Sequence, residues 1–326
     1  MSKKEMGLLS ETESLERLLY RLPENHPKRQ FLQVELFRTA AGKRGEKRLE
    51  QKLKEFRLAE NHHFLRNVCL SKGEWRIQMD GLLLTERGAI IIESKNISGQ
   101  LFFDDKTGEF SRIDLEGIRT VMEDPTVQLN KHIRFLSLFF KQHKINLPID
   151  GIVVFTSKYC EFMTKPKMRY VCKNYQLIDY LFTILDTFPQ QATPQNLQKI
   201  DKPLQKFQTP YNRYPLCQQY FIDPNELQTG ILCAACKKHS MVRKHKSGWV
   251  CERCQLVDPL ALECAVQEYF SLVHPQLSNR QLRQFCNIDS PYLASRLLAA
   301  FDLEPIGALR NRSYQIKEET VAFRPW

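Results

Sequence analysis

The chain has 326 residues, 42% hydrophobic and 26% charged, with 48 Lys and Arg against 37 Asp and Glu and a formal net charge of +11. That length allows two or three domains, and the positive excess favours a polyanionic partner without identifying it. No apolar run approaches the length of a membrane span, and there is no internal repeat and no glycine-rich nucleotide loop, so transmembrane, repeat and ATP-hydrolysing classes drop out.

Residues 1–41 read as an N-terminal helical segment. Two amphipathic helices, around Leu15–Leu22 and Phe31–Phe37, are split by Pro23 and Pro27. Residues 42–188 read as an α/β core on a mixed sheet: a helix from Gly42, three strands, a short hairpin around Asp104–Gly108, a helix, a strand over Gly151–Thr156 and a closing helix over Tyr175–Leu185. Within it, Trp75–Asn96 places Asp80, Glu93 and Lys95 where a buried hairpin should carry no charge. Ala89–Ile92 is a short apolar run of the kind found inside a sheet. Glu93 and Lys95 follow two apart, so they point to one face. A symmetric hairpin about the turn Thr85–Gly88 sets Asp80 opposite Glu93 and Gln78 opposite Lys95. An isolated E-x-K is also what a surface salt bridge at a strand end looks like. Here two carboxylates would meet at the end of an apolar hairpin, where like charges repel and need a cation. A divalent metal supplies one.

Four short blocks in this order resemble the nuclease-related (NERD) domain of the PD-(D/E)xK nuclease superfamily: Gly42-Lys43-Arg44-Gly45-Glu46, Gln78-Met79-Asp80-Gly81, Ile92-Glu93-Ser94-Lys95-Asn96 with Gly99, and Asp124-Pro125 with Gln128 and His132. The resemblance spans about Gly42–Phe139. It implies a restriction-endonuclease-like fold and a catalytic set of Asp80, Glu93, Lys95, Glu46 and Gln128. Mg²⁺ or Mn²⁺ would be held by Asp80, Glu93 and Glu46. Relatives often carry Val or Cys where this chain has Ser94, a position expected to contribute mainly its backbone carbonyl. The chemistry agrees with the residue types. Mg²⁺ takes one or two carboxylates plus water and phosphate oxygens, and Lys95 is placed to orient water or stabilise transition-state charge. Glu46, with Leu49 and Leu53, is expected at the inward edge of its helix, although a solvated acid fits GEKRLEQKLKE equally. Gln128 is expected at the rim of the site. His132 reads better as a structural histidine.

Residues 189–230 form a connector rich in Gln and Pro, with one helix around Leu197–Phe207. Its tyrosines and Phe221 are too apolar for disorder. In 231–256, Cys233-Ala-Ala-Cys236 and Cys251-Glu-Arg-Cys254 lie fourteen residues apart. Two C-x₂-C knuckles make a four-thiolate Zn²⁺ site with no open position, hence a structural one; the alternative is a disulfide pair. The other cysteines, Cys69, Cys160, Cys172, Cys217, Cys264 and Cys286, read as reduced core thiols. With no signal peptide at the start, they point to the cytoplasm. Lys237, Lys238, Arg243, Lys244 and Lys246 on the ribbon loops suit a phosphate backbone, or else form a solvated charged hairpin. Residues 257–326 resemble a winged helix-turn-helix. Ser278 caps a helix ending at Cys286, Pro291–Phe301 forms a second helix bearing Arg296, and two short strands flank Arg310 and Arg312. A generic helical hairpin is the other reading.

Together these features suggest an Mg²⁺-dependent nuclease acting on DNA, with RNA not excluded, and with endonucleolytic cleavage favoured. The competing class is a zinc-containing nucleic-acid-binding protein that uses the nuclease fold as a scaffold. A third is a module whose basic loops contact a protein.

Overall fold

The computed structural model describes residues 4–166, 170–189, 197–209, 214–244, 248–308 and 311–317. In chain order the elements are β1 (Lys4–Glu5), α1 (Glu11–Arg21), α2 (Arg29–Leu53), β2 (His62–Lys72), β3 (Trp75–Thr85), β4 (Ala89–Lys95), β5 (Gly99–Phe103), β6 (Phe110–Ile113), β7 (Arg119–Met122), α3 (Pro125–Gln142), β8 (Ile149–Phe155), β9 (Cys160–Phe162), β10 (Tyr170–Lys173), α4 (Leu177–Thr187) and α5 (Leu197–Lys206). There follow α6 (Leu216–Gln219), β11 (Met241–Lys244), β12 (Gly248–Cys251), α7 (Ala261–Leu272), β13 (Leu277–Ser278), α8 (Asn279–Cys286), α9 (Pro291–Ala299), β14 (Phe301–Ile306) and β15 (Ser313–Ile316). The chain divides into two compact units, one built on Ala41–Tyr211 and the other joining Met1–Ala40 to Asn212–Glu319.

The Ala41–Tyr211 unit is a mixed α/β structure. Its main sheet has the order β10-β8-β4-β3-β2, with β2, β3 and β4 antiparallel and β4, β8 and β10 parallel. Both faces of β4 are covered, which is why Ala89–Ile92 is apolar throughout. Ala89 and Ile91 pack with Leu129, Phe135 and Leu136 of α3, while Ile90 and Ile92 pack with Leu49 and Leu53 of α2 and with Leu181 of α4. The hairpin between β3 and β4 closes as expected. Thr85 N–H donates to the Gly88 carbonyl at 2.9 Å, and the Thr85 hydroxyl accepts from the amides of Arg87 and Gly88. This fixes the ladder from Leu84–Ala89 to Gly81–Ile92. A second sheet, β7-β6-β5-β9, includes the hairpin around Asp104–Gly108. Its outer strands β7 and β9 are short, and their sequences carry no strong strand pattern.

The helix expected at Phe31–Phe37 and the one expected to open at Gly42 are a single helix, α2. No proline separates them, and each glycine costs only about 1 kcal/mol in a helix interior, less than the burial of Leu32, Leu49 and Leu53 returns. The helix expected to reach Phe301 stops at Ala299, and Phe301 starts β14.

In the other unit, β1 adds a parallel strand to β14, and the sheet runs β1-β14-β15-β13. Leu15, Leu18 and Leu19 of α1, and Leu22 just after it, pack with Leu216, Ile222 and Leu272. Arg21, fully buried, donates from Nε and Nη2 to Glu268 Oε2 at 2.8 and 2.6 Å. Its remaining donors reach the carbonyls of Gln228 and Gly230, and its guanidinium lies 3.9 Å from the centre of the Phe285 ring. Arg17 takes the other Glu268 oxygen at 3.1 Å. Removing one partner of such a pair strands a buried charge. Arg21→Met is therefore expected to cost this unit about 3–5 kcal/mol in urea unfolding, and Arg21→Met with Glu268→Leu less than Arg21→Met alone.

Candidate functional site

The site forms where the pairing of β3 with β4 ends, at Gly81–Ile92, while β3 stays paired with β2. Arg66 pairs with Gly81 and Val68 with Met79, but Asn67 and Asp80 are skipped. Asn67 has φ 46°, a left-handed conformation that Asn tolerates better than most residues. The alternation of both strands slips there: Leu82 and Leu84 share the α3-side core with Met79 and Ile77. Asp80 sits at the slip, half-buried and outside the ladder. Its Oδ2 accepts from the Ser94 amide at 2.7 Å and the Ser94 hydroxyl at 2.8 Å. Ser94 thus holds Asp80 with its N–H and side chain, a larger part than the backbone-carbonyl role expected for it.

Glu93 lies one residue beyond the ladder, on the α3 side, and is 0% exposed. Its Oε1 is 2.6 Å from His132 Nδ1, and its Oε2 is buried with no hydrogen-bond partner. Burial pushes the Glu93 carboxyl above the usual carboxylate range. The His132 hydrogen bond pulls against this, the Asp80 charge adds to it, and Lys95 opposes it. Lys95 Nζ donates to Gln128 Oε1 at 2.7 Å. A cleft of about 190 Å³ opens beside Lys95, lined also by Ile97, Met122, Glu123, Asp124 and Gln128.

The pairing of α3 with β4 has a geometric cause. Four residues of helix advance about 6 Å and two of strand about 6.6 Å, so Gln128 and His132 match Lys95 and Glu93 in antiparallel sense. Asp124 caps the helix through its Oδ1, which accepts the Thr126 amide at 2.8 Å, and Pro125 occupies the first turn. The Asp-Pro block therefore starts α3 one turn before Gln128. His132, read from sequence as a structural histidine, is the direct partner of Glu93. The signal was its i, i+4 spacing from Gln128, matched to the i, i+2 spacing of Glu93 and Lys95.

On the other face, α2 meets the end of β4 at Gly45. A Cβ there would lie 2.7 Å from the Thr156 hydroxyl and 2.8 Å from Asn96 Cβ, contacts that side chains do not make. Asn96 then donates to the Ala41 carbonyl at 2.7 Å and accepts from Arg48 at 3.1 Å. It is Gly45, not Glu46, that faces the sheet. Glu46 is exposed on α2. Gly99, with φ 100°, lets β5 begin against the Ile113 carbonyl, where a Cβ would meet the oxygen at 2.3 Å.

Among the described residues, one group of three or more His, Cys, Asp or Glu has its ligand atoms within 4.8 Å of one another: Cys233, Cys236, Cys251 and Cys254. The two knuckles repeat the same bonds. The Cys233 amide donates to the Lys238 carbonyl and the Lys237 amide to that of Cys233. The Cys251 amide donates to the Leu256 carbonyl and the Gln255 amide to that of Cys251. Lys237 and Gln255 both take left-handed φ. The thiols are unbridged, and β11 and β12 pair between the knuckles. Burial pushes the Cys251 thiol up, but the Ser240 hydroxyl and the amides of Cys254 and Arg253 outweigh it and bring it down to about 6. The arrangement is that of a four-thiol site for one metal ion.

Lys237, Lys238, Arg243 and Lys244 are exposed around this site, and Arg296 and Arg312 are exposed further on. Lys246 and Arg310 lie outside the described residues. Among the described residues no helix is long and apolar enough to cross a membrane.

Residues 41–156 match the family model of the nuclease-related domain (NERD), related to PD-(D/E)xK nucleases. No match was found among curated proteins or among solved structures.

The raised Glu93 carboxyl sets a pH dependence. A folded-state pKa above the unfolded one favours the protonated native form, so the contribution is present at low pH and lost as pH rises through the folded value. In chelator, wild type is therefore expected to lose stability relative to Glu93→Gln as pH rises from the carboxylate range to neutrality. Thermal unfolding of both proteins at several pH values reads this difference.

Proposed function

We propose that the nuclease-related domain of this chain is a divalent-metal-dependent phosphodiesterase that cleaves DNA internally, and that the C-terminal part of the chain binds the nucleic acid. One observation carries the reading. Glu93 is wholly buried with an oxygen that nothing satisfies, and Asp80 adds negative charge beside it. A buried carboxylate without a partner is costly. The donor set, carboxylate oxygens with no thiol, suits a hard cation.

Asp80 and Glu93 would hold the ion; Glu46, which the family resemblance adds to the set, lies exposed on α2. When bound, such an ion neutralises phosphoryl charge and lowers the pKa of a coordinated water. The rest falls to the chain itself. His132 fixes the rotamer of Glu93, and Ser94 fixes that of Asp80. Gln128 is a neutral acceptor, so it positions the Lys95 ammonium without cancelling its charge. Lys95 is then placed to stabilise the negative charge that develops on the phosphoryl oxygens. A scaffold with no catalytic role has no use for this set of held charges.

The paired knuckles and the β11–β12 hairpin support a zinc ribbon. In the C-terminal segment, the order α7, β13, α8, α9, β14, β15, with β15 between β13 and β14, supports a winged helix-turn-helix. There α9 presents Tyr292, 78% exposed, with Arg296. Lys237, Lys238, Arg243, Lys244, Lys246, Arg296, Arg310 and Arg312 are the proposed phosphate contacts.

Purified protein should cut plasmid DNA with Mg²⁺ or Mn²⁺ and not with EDTA. Asp80→Ala, Glu93→Ala and Lys95→Ala should each abolish cleavage while DNA affinity in EDTA stays within a few fold. Wild-type cleavage by Glu93→Ala would falsify the assignment.

The zinc reading has its own test. Structural zinc contributes on the order of 10 kcal/mol to such a module. Elemental analysis of protein prepared without added metal should give about one zinc per chain. Cys251→Ser should lose the metal and unfold the hairpin, with cleavage chemistry retained.

A further inference from the structure

Seven Lys and Arg lie on α2. Four are held. Arg29 donates to the carbonyls of Leu19 and Leu22, Arg38 pairs with Glu35, Arg48 donates to Asn96 and the Thr156 carbonyl, and Lys52 pairs with Glu55. The other three, Lys43, Arg44 and Lys47, are exposed and have no partner among the described residues. Glu50, three residues beyond Lys47, is turned instead to Arg66 and Lys54, at 3.1 and 3.8 Å. The unpaired cations therefore cluster in the single turn around Gly45, where α2 touches Asn96 at the end of the site strand.

Charge on the opposite face of the sheet has the other sign. Asp124 and Glu123, the latter 3.6 Å from Lys131, line the cleft beside Lys95. Asp124 also borders a neighbouring recess of about 360 Å³ lined by Asp104 and Asp105. The sheet separates the two charges, because Leu49 and Leu53 of α2 pack on one side and Leu129 and Phe135 of α3 on the other. A polyanion crossing the end of β4 meets cations on the α2 side and carboxylates on the α3 side. At the distances involved, attraction and repulsion between exposed charges differ in sign but are similar in size, so the asymmetry sets the direction of approach.

We propose that the substrate backbone reaches Glu93 and Lys95 across the C-terminal end of β4 from the α2 side, with phosphates flanking the scissile one held by Lys43, Arg44 and Lys47. This rests on the phosphodiesterase reading above and gives that site a substrate path. It also makes the nuclease-related domain a binder in its own right, apart from the basic loops of the C-terminal part.

The test is binding of the full chain to linear duplex and single-stranded DNA in EDTA, by fluorescence anisotropy over a range of salt. Without metal, the outcome does not depend on hydrolysis, which the Glu93→Ala cleavage assay examines separately. Lys43→Gln with Arg44→Gln and Lys47→Gln changes exposed positions to a good helix former, and far-ultraviolet circular dichroism checks the fold. The slope of log affinity against log salt on duplex should fall by about 0.9 for each phosphate no longer neutralised, up to about 2.7 for three. Arg38→Gln with Lys52→Gln, which removes cations already paired on the same helix, should change the slope by less than a single phosphate does. Asp105→Asn with Glu123→Gln should leave binding equal or tighter. A wild-type slope in the triple variant would overturn the path. So would an equal drop in the paired-cation control, weaker binding after Asp105 and Glu123 are neutralised, or a full chain that binds neither DNA.

Discussion

The candidate site depends on one carboxylate, Glu93, buried at the end of an apolar strand. Moving an ionised carboxylate out of water costs several kcal/mol even after the protein relaxes, and here one of its two oxygens has a hydrogen-bond partner, His132 Nδ1. The neighbouring features are the framework of that position. The Thr85–Gly88 turn sets the register, the slip at Asn67 and Asp80 brings the second acid out of the ladder, and α3 presents His132 and Gln128 at the spacing the strand requires. Each is ordinary alone. Together they hold two carboxyl groups and one ammonium group near a small cleft, and the proposed uptake of a cation rests on that arrangement.

Arg21 and Glu268 solve the same problem in a different way. There the buried acid has Arg17 and Arg21 as partners, and Arg21 uses its other donors on carbonyls, so no oxygen of Glu268 is left unsatisfied. A satisfied buried ion pair is a structural device; Glu93, with Oε2 unmatched, is the contrasting case. Within one chain, then, one buried acid has both oxygens matched and the other has one left over.

Gly45 brings α2 against the end of β4. Because it has no side chain, α2 lies against Asn96 and Thr156, and Asn96 bonds back to Ala41 and Arg48. The same contact carries three unpaired cations to the end of the site strand. The short Gly-x-x-Gly-Glu block thus has a packing role in its second glycine and an electrostatic role in the residues around it, while Glu46 stays at the surface.

Much of this was legible from the residues. The turn at Thr85–Gly88 and the pairing of Gly81 with Ile92 follow from the two-residue period of strands, which leaves a hairpin one register once its turn is chosen; the ladder stops there, so the expected pairs Asp80–Glu93 and Gln78–Lys95 do not form, and Asp80 reaches Ser94. The four cysteines follow from ligand spacing, the cap at Ser278 from local hydrogen-bonding rules, and Pro291 in the first turn of α9 from its fixed φ and missing N–H. These are short-range properties, so the order of residues determines them. The merging of the two N-terminal helices into α2, the addition of β1 to β14, the Arg21–Glu268 pair, the grip of Ser94 on Asp80 and the partnership of His132 with Glu93 join residues far apart in the chain or choose between local options of similar energy. Only packing decides those, because burying a face against a partner outweighs the small propensity differences that a sequence displays.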